Sequence, residues 1–214
     1  MSDIPKDIYT EQDADPDTLA HLGPLRRLAG TWRGKIGKDV NPKAEGPEHR
    51  DYYETIDLQP IDPQSNGPQL LYGLRYHAHI NTEDEDITFH DQVGYWLWEP
   101  DTGLIMQSLT IPRGQTALAV GKAGPDDNVL RLQATRGPTD YGICSTTFLE
   151  QAFRTDSYKI EVTFNPDGTW SYALETMLAL RDREPFAHVD NNTLTKIAEP
   201  KINPLKLIVD KKGG

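Results

Sequence analysis

From Thr31 to Ala198 the chain repeats one pattern: short runs of alternating apolar and polar residues, rich in β-branched and aromatic types, broken by Gly, Pro, Asn or Asp. Strands are expected near 30–37, 48–59, 68–80, 86–99, 103–111, 115–123, 128–135, 142–154, 157–165, 168–180 and 188–198. Glu99-Pro100-Asp101-Thr102-Gly103, Gly124-Pro125-Asp126-Asp127-Asn128 and Asn165-Pro166-Asp167-Gly168 read as hairpin turns, where Pro presets φ and Gly or Asn accepts a positive one. Consecutive hairpins without intervening helices make an antiparallel meander. About ten such strands leave costly edges unless the sheet closes on itself. The expected fold is therefore all-β, a single antiparallel up-and-down β-barrel of about ten strands. Its interior has room for one small ligand, whereas a two-sheet sandwich, the alternative, fills its centre with side chains.

Before the strands, Leu19, Leu22, Leu25 and Leu28 recur every third residue after a possible N-cap at Asp17, which predicts a short helix interrupted at Pro24. Residues 1–16 carry Asp3, Asp7, Glu11, Asp13 and Asp15 against Lys6 alone and read as an acidic disordered arm. The barrel domain is expected over 17–198, and 199–214 form an extension. In it Ile202, Leu205, Leu207, Ile208 and Val209 suit packing on the barrel, contact with a second subunit in a homodimer, or a last strand.

Four Trp, nine Tyr and five Phe fill a core at few positions. A net charge of -11 repels phosphate backbones and anionic membrane surfaces, which argues against nucleic acid or membrane as a partner. The single Cys144 forms no intramolecular disulfide and reads as an inert strand residue. With no leader pattern and no run of ~20 apolar residues, cytoplasmic residence is the expectation.

Three short motifs add a resemblance. Gly30-Thr31-Trp32-Arg33-Gly34 follows the predicted helix; His90-Asp91-Gln92-Val93-Gly94-Tyr95-Trp96 precedes Pro100-Asp101-Thr102-Gly103; Pro185-Phe186-Ala187-His188 opens the last strand. In this order, across roughly residues 20 to 198, they resemble the nitrobindin family of haem-binding β-barrels. The resemblance implies a small-molecule ligand in the barrel, a ferric b-type haem, with His188 as axial ligand to the iron and His90 on the opposite, distal side. It also implies nitric oxide chemistry and isomerisation of peroxynitrite to nitrate, an enzymatic activity only if haem is bound. Trp32 is read as a plug at one end of the barrel and, under the resemblance, as a cofactor-binding residue with His188, His90 and Lys43.

The chain departs from the family pattern twice. The third glycine falls at Ile36, one step before Gly37, and such a slip reverses the inward face unless a bulge absorbs it. A haem-contacting Thr is replaced by Asn41-Pro42-Lys43, where Lys43 suits a propionate by charge. The run Val189-Asp190-Asn191-Asn192-Thr193-Leu194 is one residue longer than the family's, so His188 faces inward only if Asn191 and Asn192 host a bulge.

Other chemistry is sparse. His77 and His79 share one face of a strand and, with Glu83, form part of a metal motif that lacks its second half. There is no Gly-x-Ser-x-Gly and no P-loop. Glu54, Glu150, Glu161 and Glu175 read as solvated strand faces. Besides the haem protein, two other functions are compatible with this sequence: a metal-free carrier of a fatty acid or other apolar molecule, and an enzyme using His77 and His79.

Overall fold

The structure is a computed structural model that describes residues 4–82 and 87–213. Its strands are β1 (Gly30–Lys43), β2 (Gly46–Pro60), β3 (Gln64–Asn66), β4 (Gln69–Asn81), β5 (Thr88–Glu99) and β6 (Leu104–Ile111). They continue with β7 (Gln115–Lys122), β8 (Val129–Arg136), β9 (Gly142–Ser145), β10 (Phe153–Phe164), β11 (Trp170–Leu180) and β12 (Phe186–Ala198). Neighbours run β2-β1-β12-β11-β10-β8-β9-β7-β6-β5-β4, and β4 pairs with β2 to close the ring. The result is an eleven-stranded barrel, with β3 a short flap on β4. All pairings are antiparallel except β8 with β9. Closure leaves none of the long strands with a free edge.

The run expected as one strand over 142–154 is instead β9, a helix α2 (Thr147–Ala152) and the start of β10. Thr146 causes the break, since its hydroxyl accepts from the backbone N–H of Leu149 and caps the helix. At the other end of the chain, Asp17 caps α1 (Thr18–His21) by accepting from Ala20, and a 3-10 helix follows over Gly23–Leu28. Three residues per turn is the period that puts Leu22, Leu25 and Leu28 on one buried face. Gly23 has φ +51 and packs where a Cβ would lie 2.6 Å from the Trp98 ring, so it marks the break between the two helical segments.

This helical segment stoppers one end of the barrel. Trp32 is 2% exposed, donates from Nε1 to the Leu28 carbonyl at 2.8 Å and meets Trp170 edge-on at 5.9 Å. The extension is a helix, α3 (Pro204–Gly213), rather than a strand. Buried Asn203 ties it down, donating to the Pro16 carbonyl and to Asp62 while its own Oδ1 accepts from the Thr18 N–H. No helix among the described residues is long and apolar enough to cross a membrane.

Strand β1 reaches Lys43, well past its expected end, and changes its inward face on the way. Gly34 pairs with Glu54 but Gly37 pairs with Tyr52, so β1 carries one extra residue there. This bulge turns Trp32 and Gly34 inward before it and Gly37, Asp39 and Asn41 inward after it. Both glycines are needed for contact: a Cβ would lie 2.2 Å from the Asn192 amide at Gly34 and 2.1 Å from the Tyr52 ring at Gly37. The bulge expected at Asn191 and Asn192 does not form. β11 and β12 pair without interruption from Trp170 with Leu194 to Leu178 with Phe186. His188 lines the cavity without that bulge, and a separate register shift lies beyond the run, where Thr31 pairs with Ala198 and Trp32 with Lys196.

Two outcomes follow from this packing. Trp32→Ala should cost roughly 3–5 kcal/mol in denaturant unfolding, the range for a truncated buried aromatic; a near-neutral result would remove Trp32 from the plug. The described part of the arm meets the barrel through polar contacts, including Gln12 with the Pro68 carbonyl and the Asp15 N–H with the Tyr72 hydroxyl, while Ile4, Ile8 and Tyr9 stay exposed. Deleting residues 1–15 should therefore change stability by less than about 1 kcal/mol.

Candidate functional site

The inward faces of the strands enclose a cavity of about 650 Å³ that opens opposite the Trp32 plug. This is within the usual size of small-molecule sites, roughly 300–1,000 Å³. Ile56, Ala78, Ile80, Phe89, Leu109, Ile111, Leu174 and Leu178 supply apolar wall, and Phe148 and Leu149 bring α2 to its edge. Lys43, Arg50 and Arg113 also line it. Trp32 does not reach the cavity, but Trp170, against which it packs, does.

His188 and His90 both line the cavity, in opposite electrostatic states. Burial disfavours the His188 cation, but the hydrogen bond to Asp39 and the charges of Asp190 and Asp39 outweigh it and raise the imidazole above its ordinary value. Nε2 of His188 donates to Asp39 Oδ1 at 2.7 Å and lies 3.5 Å from Asp190 Oδ2. Burial and the nearby Arg113 push His90 down to about 4. Arg113 can only donate, so His90 Nδ1, 3.3 Å away, accepts; Nε2 then carries the proton toward Gln92 Oε1, also at 3.3 Å. One wall therefore presents an imidazole bound by carboxylates and another a neutral one held by Arg113 and Gln92.

Two hydrogen-bonded networks lie inside the barrel, the first reached from His90 through Gln92. Gln92 donates to Tyr76, which also accepts from Gln107, and Gln107 in turn accepts from Tyr158. On the β1 side, Tyr172 donates to Glu54 at 2.8 Å and Asn192 donates to the same carboxylate oxygen at 3.2 Å. With its proton committed, Tyr172 accepts from Tyr52, whose hydroxyl is 2.6 Å away. Glu54 is thus no solvated strand residue: it is 4% exposed, and burial pushes it up to about 7 against hydrogen bonds that favour the anion. Glu150 lies on α2 rather than on a strand, while Glu161 and Glu175 do sit on the outer surface with Arg131 and Lys159.

His77 and His79 lie outside the barrel, where His77 Nε2 is 3.1 Å from Asp91 and His79 Nε2 is 2.9 Å from the Thr88 hydroxyl. Glu83 falls outside the described residues. Among the described residues no third donor joins the pair closely enough to share an ion. Lys43 reaches the cavity and also pairs with Glu48 at 3.4 Å. Asp39, Asp190, Arg50 and Arg113 were not singled out by the motifs; only the spacing of His188 and Asp190, two apart on one strand face, pointed to any of them.

The sequence profile described as "THAP4-like, heme-binding beta-barrel domain" matches residues 21–196. The crystal structure of Rv2717c from M. tuberculosis is similar in fold, with a TM-score of 0.56 and 19% identity over 86% of this chain and 99% of that one. No curated protein matches the sequence.

The state of Glu54 can be read from stability. The unfolded chain ionises near the ordinary 4.5 and the folded chain near 7, so the site's contribution is full below pH 4.5 and is lost as pH rises through 7. Glu54→Gln keeps an acceptor for Tyr172 without the charge. Relative to wild type it should gain about 2 kcal/mol between about pH 5 and pH 8 in denaturant unfolding. A gap that does not change with pH would mean that Glu54 ionises as in water.

Proposed function

The chain belongs to the THAP4-like, heme-binding β-barrel family, and from that premise we propose that its cavity takes one ferric b-type haem with His188 as the axial ligand. The observation that carries the reading is a histidine from β12 set into an apolar-walled cavity of about 650 Å³, with a neutral histidine, His90, lining the same space from β5. The residues suit the group. Apolar wall accepts the macrocycle, His188 offers a ring nitrogen, and Lys43, Arg50 and Arg113 offer cations to the propionates.

When bound, haem supplies an iron with an open coordination position for nitric oxide or peroxynitrite, and isomerisation to nitrate is the activity we assign to it. The chain's own part is to bind, orient and exclude water. To hold the iron through Nε2, His188 would give up its bond to Asp39, and Asp39 would keep its partner Asn41, 2.6 Å away. His90 is kept uncharged by burial and Arg113, so it would face the ligand as a neutral imidazole held by Arg113 and Gln92 rather than as a cation. The walls of Leu109, Ile111 and Phe89 keep that side dry.

A second reading is a metal-free carrier of a fatty acid. The apolar walls together with Arg50 and Arg113 favour it, since they suit an alkyl chain and a carboxylate.

Haemin titration separates these readings. His188→Ala should weaken haemin binding by at least about tenfold, a difference of ~1.4 kcal/mol, and should shift the Soret band. His90→Ala should bind haemin nearly as wild type does, with altered nitric oxide binding and peroxynitrite decay. Wild-type protein that takes up no haemin, but from which fatty acid is extracted, would support the carrier.

A further inference from the structure

Asp39 and Asp190 are direct partners in the β1–β12 register and both point into the barrel. Like charges placed directly opposite each other on a sheet face are destabilising, and burial makes this worse. His188, two residues before Asp190, faces the same space. The donor atoms of the three side chains lie within 4.8 Å of one another. The His188 nitrogen is 2.7 Å from Asp39 and 3.5 Å from Asp190. Ligands about 2.1 Å from one ion stand roughly 3.0–3.4 Å apart at octahedral or tetrahedral angles, so these distances need only small side-chain adjustments to enclose a cation.

We infer that Asp39, His188 and Asp190 form a site for one divalent first-row transition-metal ion, which competes with haem for His188. An imidazole with two carboxylates is a borderline-to-hard donor set, suited to Zn²⁺, Co²⁺, Mn²⁺ or Fe²⁺ and poorly suited to Cu⁺. The outer shell is in place: Asn41 donates to Asp39 Oδ2 at 2.6 Å and leaves Oδ1 for the ion, while Asn41 itself reaches Glu48 at 3.3 Å. Three protein ligands on one wall leave the remaining coordination positions toward the cavity, the arrangement of an open rather than a structural site. The ion would offset the paired carboxylates in place of the His188 proton. The metal site concerns the haem-free protein and stands apart from the haem reading; the competition for His188 rests on that reading.

The test uses the full chain, stripped with chelator and free of haem, in a His77→Ala/His79→Ala background that removes the exterior histidine pair. Isothermal titration with Zn²⁺ should give one site, and Co²⁺ should give visible d–d bands of mixed nitrogen and oxygen ligation. Asp39→Asn, Asp190→Asn and His188→Ala should each weaken Zn²⁺ by about 10–100-fold or more, with His90→Ala unchanged and folding checked by circular dichroism. Prebound Zn²⁺ should raise the apparent haemin Kd of the wild-type protein. No saturable Zn²⁺ site in the background protein, or an unchanged Zn²⁺ affinity in folded Asp190→Asn, overturns the site whatever haemin does. Failure of haemin to bind the metal-free protein, with Zn²⁺ binding intact, refutes the haem reading alone.

Discussion

The extra residue between Gly34 and Gly37 is the constraint from which the cavity follows. β1 has to contribute a floor at one end of the barrel and a polar wall at the other, and an uninterrupted strand can present only one parity of residues inward. The bulge lets Trp32 close the floor and Asp39 meet His188 from the same strand. Without it Lys38 and Val40 would face the interior, and the carboxylate beside His188 would be lost. The absence of side chains at Gly34 and Gly37 lets Asn192 and Tyr52 close over the bulged segment.

The cavity carries charges of both signs on its lining. Carboxylates come from β1, β2 and β12, as Asp39, Glu54 and Asp190, whereas Arg50 and Arg113 come from β2 and the turn after β6. Fixed charges in a poorly solvated space bias which end of an amphiphilic ligand points where. They also shift the two histidines lining the cavity in opposite directions: His188, among the acids, is raised, and His90, buried beside Arg113, is lowered.

Most of the architecture was legible because the alternation of β-strands is a direct imprint of an inside and an outside, and because the turns carry their own chemistry. What failed was local and had local causes. Thr146 capped a short helix inside a run that looked like strand, since capping is a side-chain event that hydrophobic period does not register. Glu54 looked like any alternating polar residue, because its partners Tyr172 and Asn192 lie over a hundred residues away. His188 was singled out by motif, yet its inward direction was tied to a bulge at Asn191 and Asn192 that it does not need, since β12 pairs evenly with β11 across that stretch. Asp39 was invisible as a site residue because its inward direction depends on the bulge five residues earlier.

The clasp at Asn203 has a consequence for how the chain tolerates rearrangement. Through Pro16, Thr18 and Asp62 it holds the segment entering the barrel and the segment leaving it side by side, beneath the stoppered end. A short linker joining these two segments would therefore span little distance, and new ends opened elsewhere, as at the Asp167-Gly168 turn, would leave every barrel strand whole. Cargo fused to either segment would hang behind the floor and leave the ligand entrance clear, which makes this barrel suited to circular permutation and to use as a fusion scaffold.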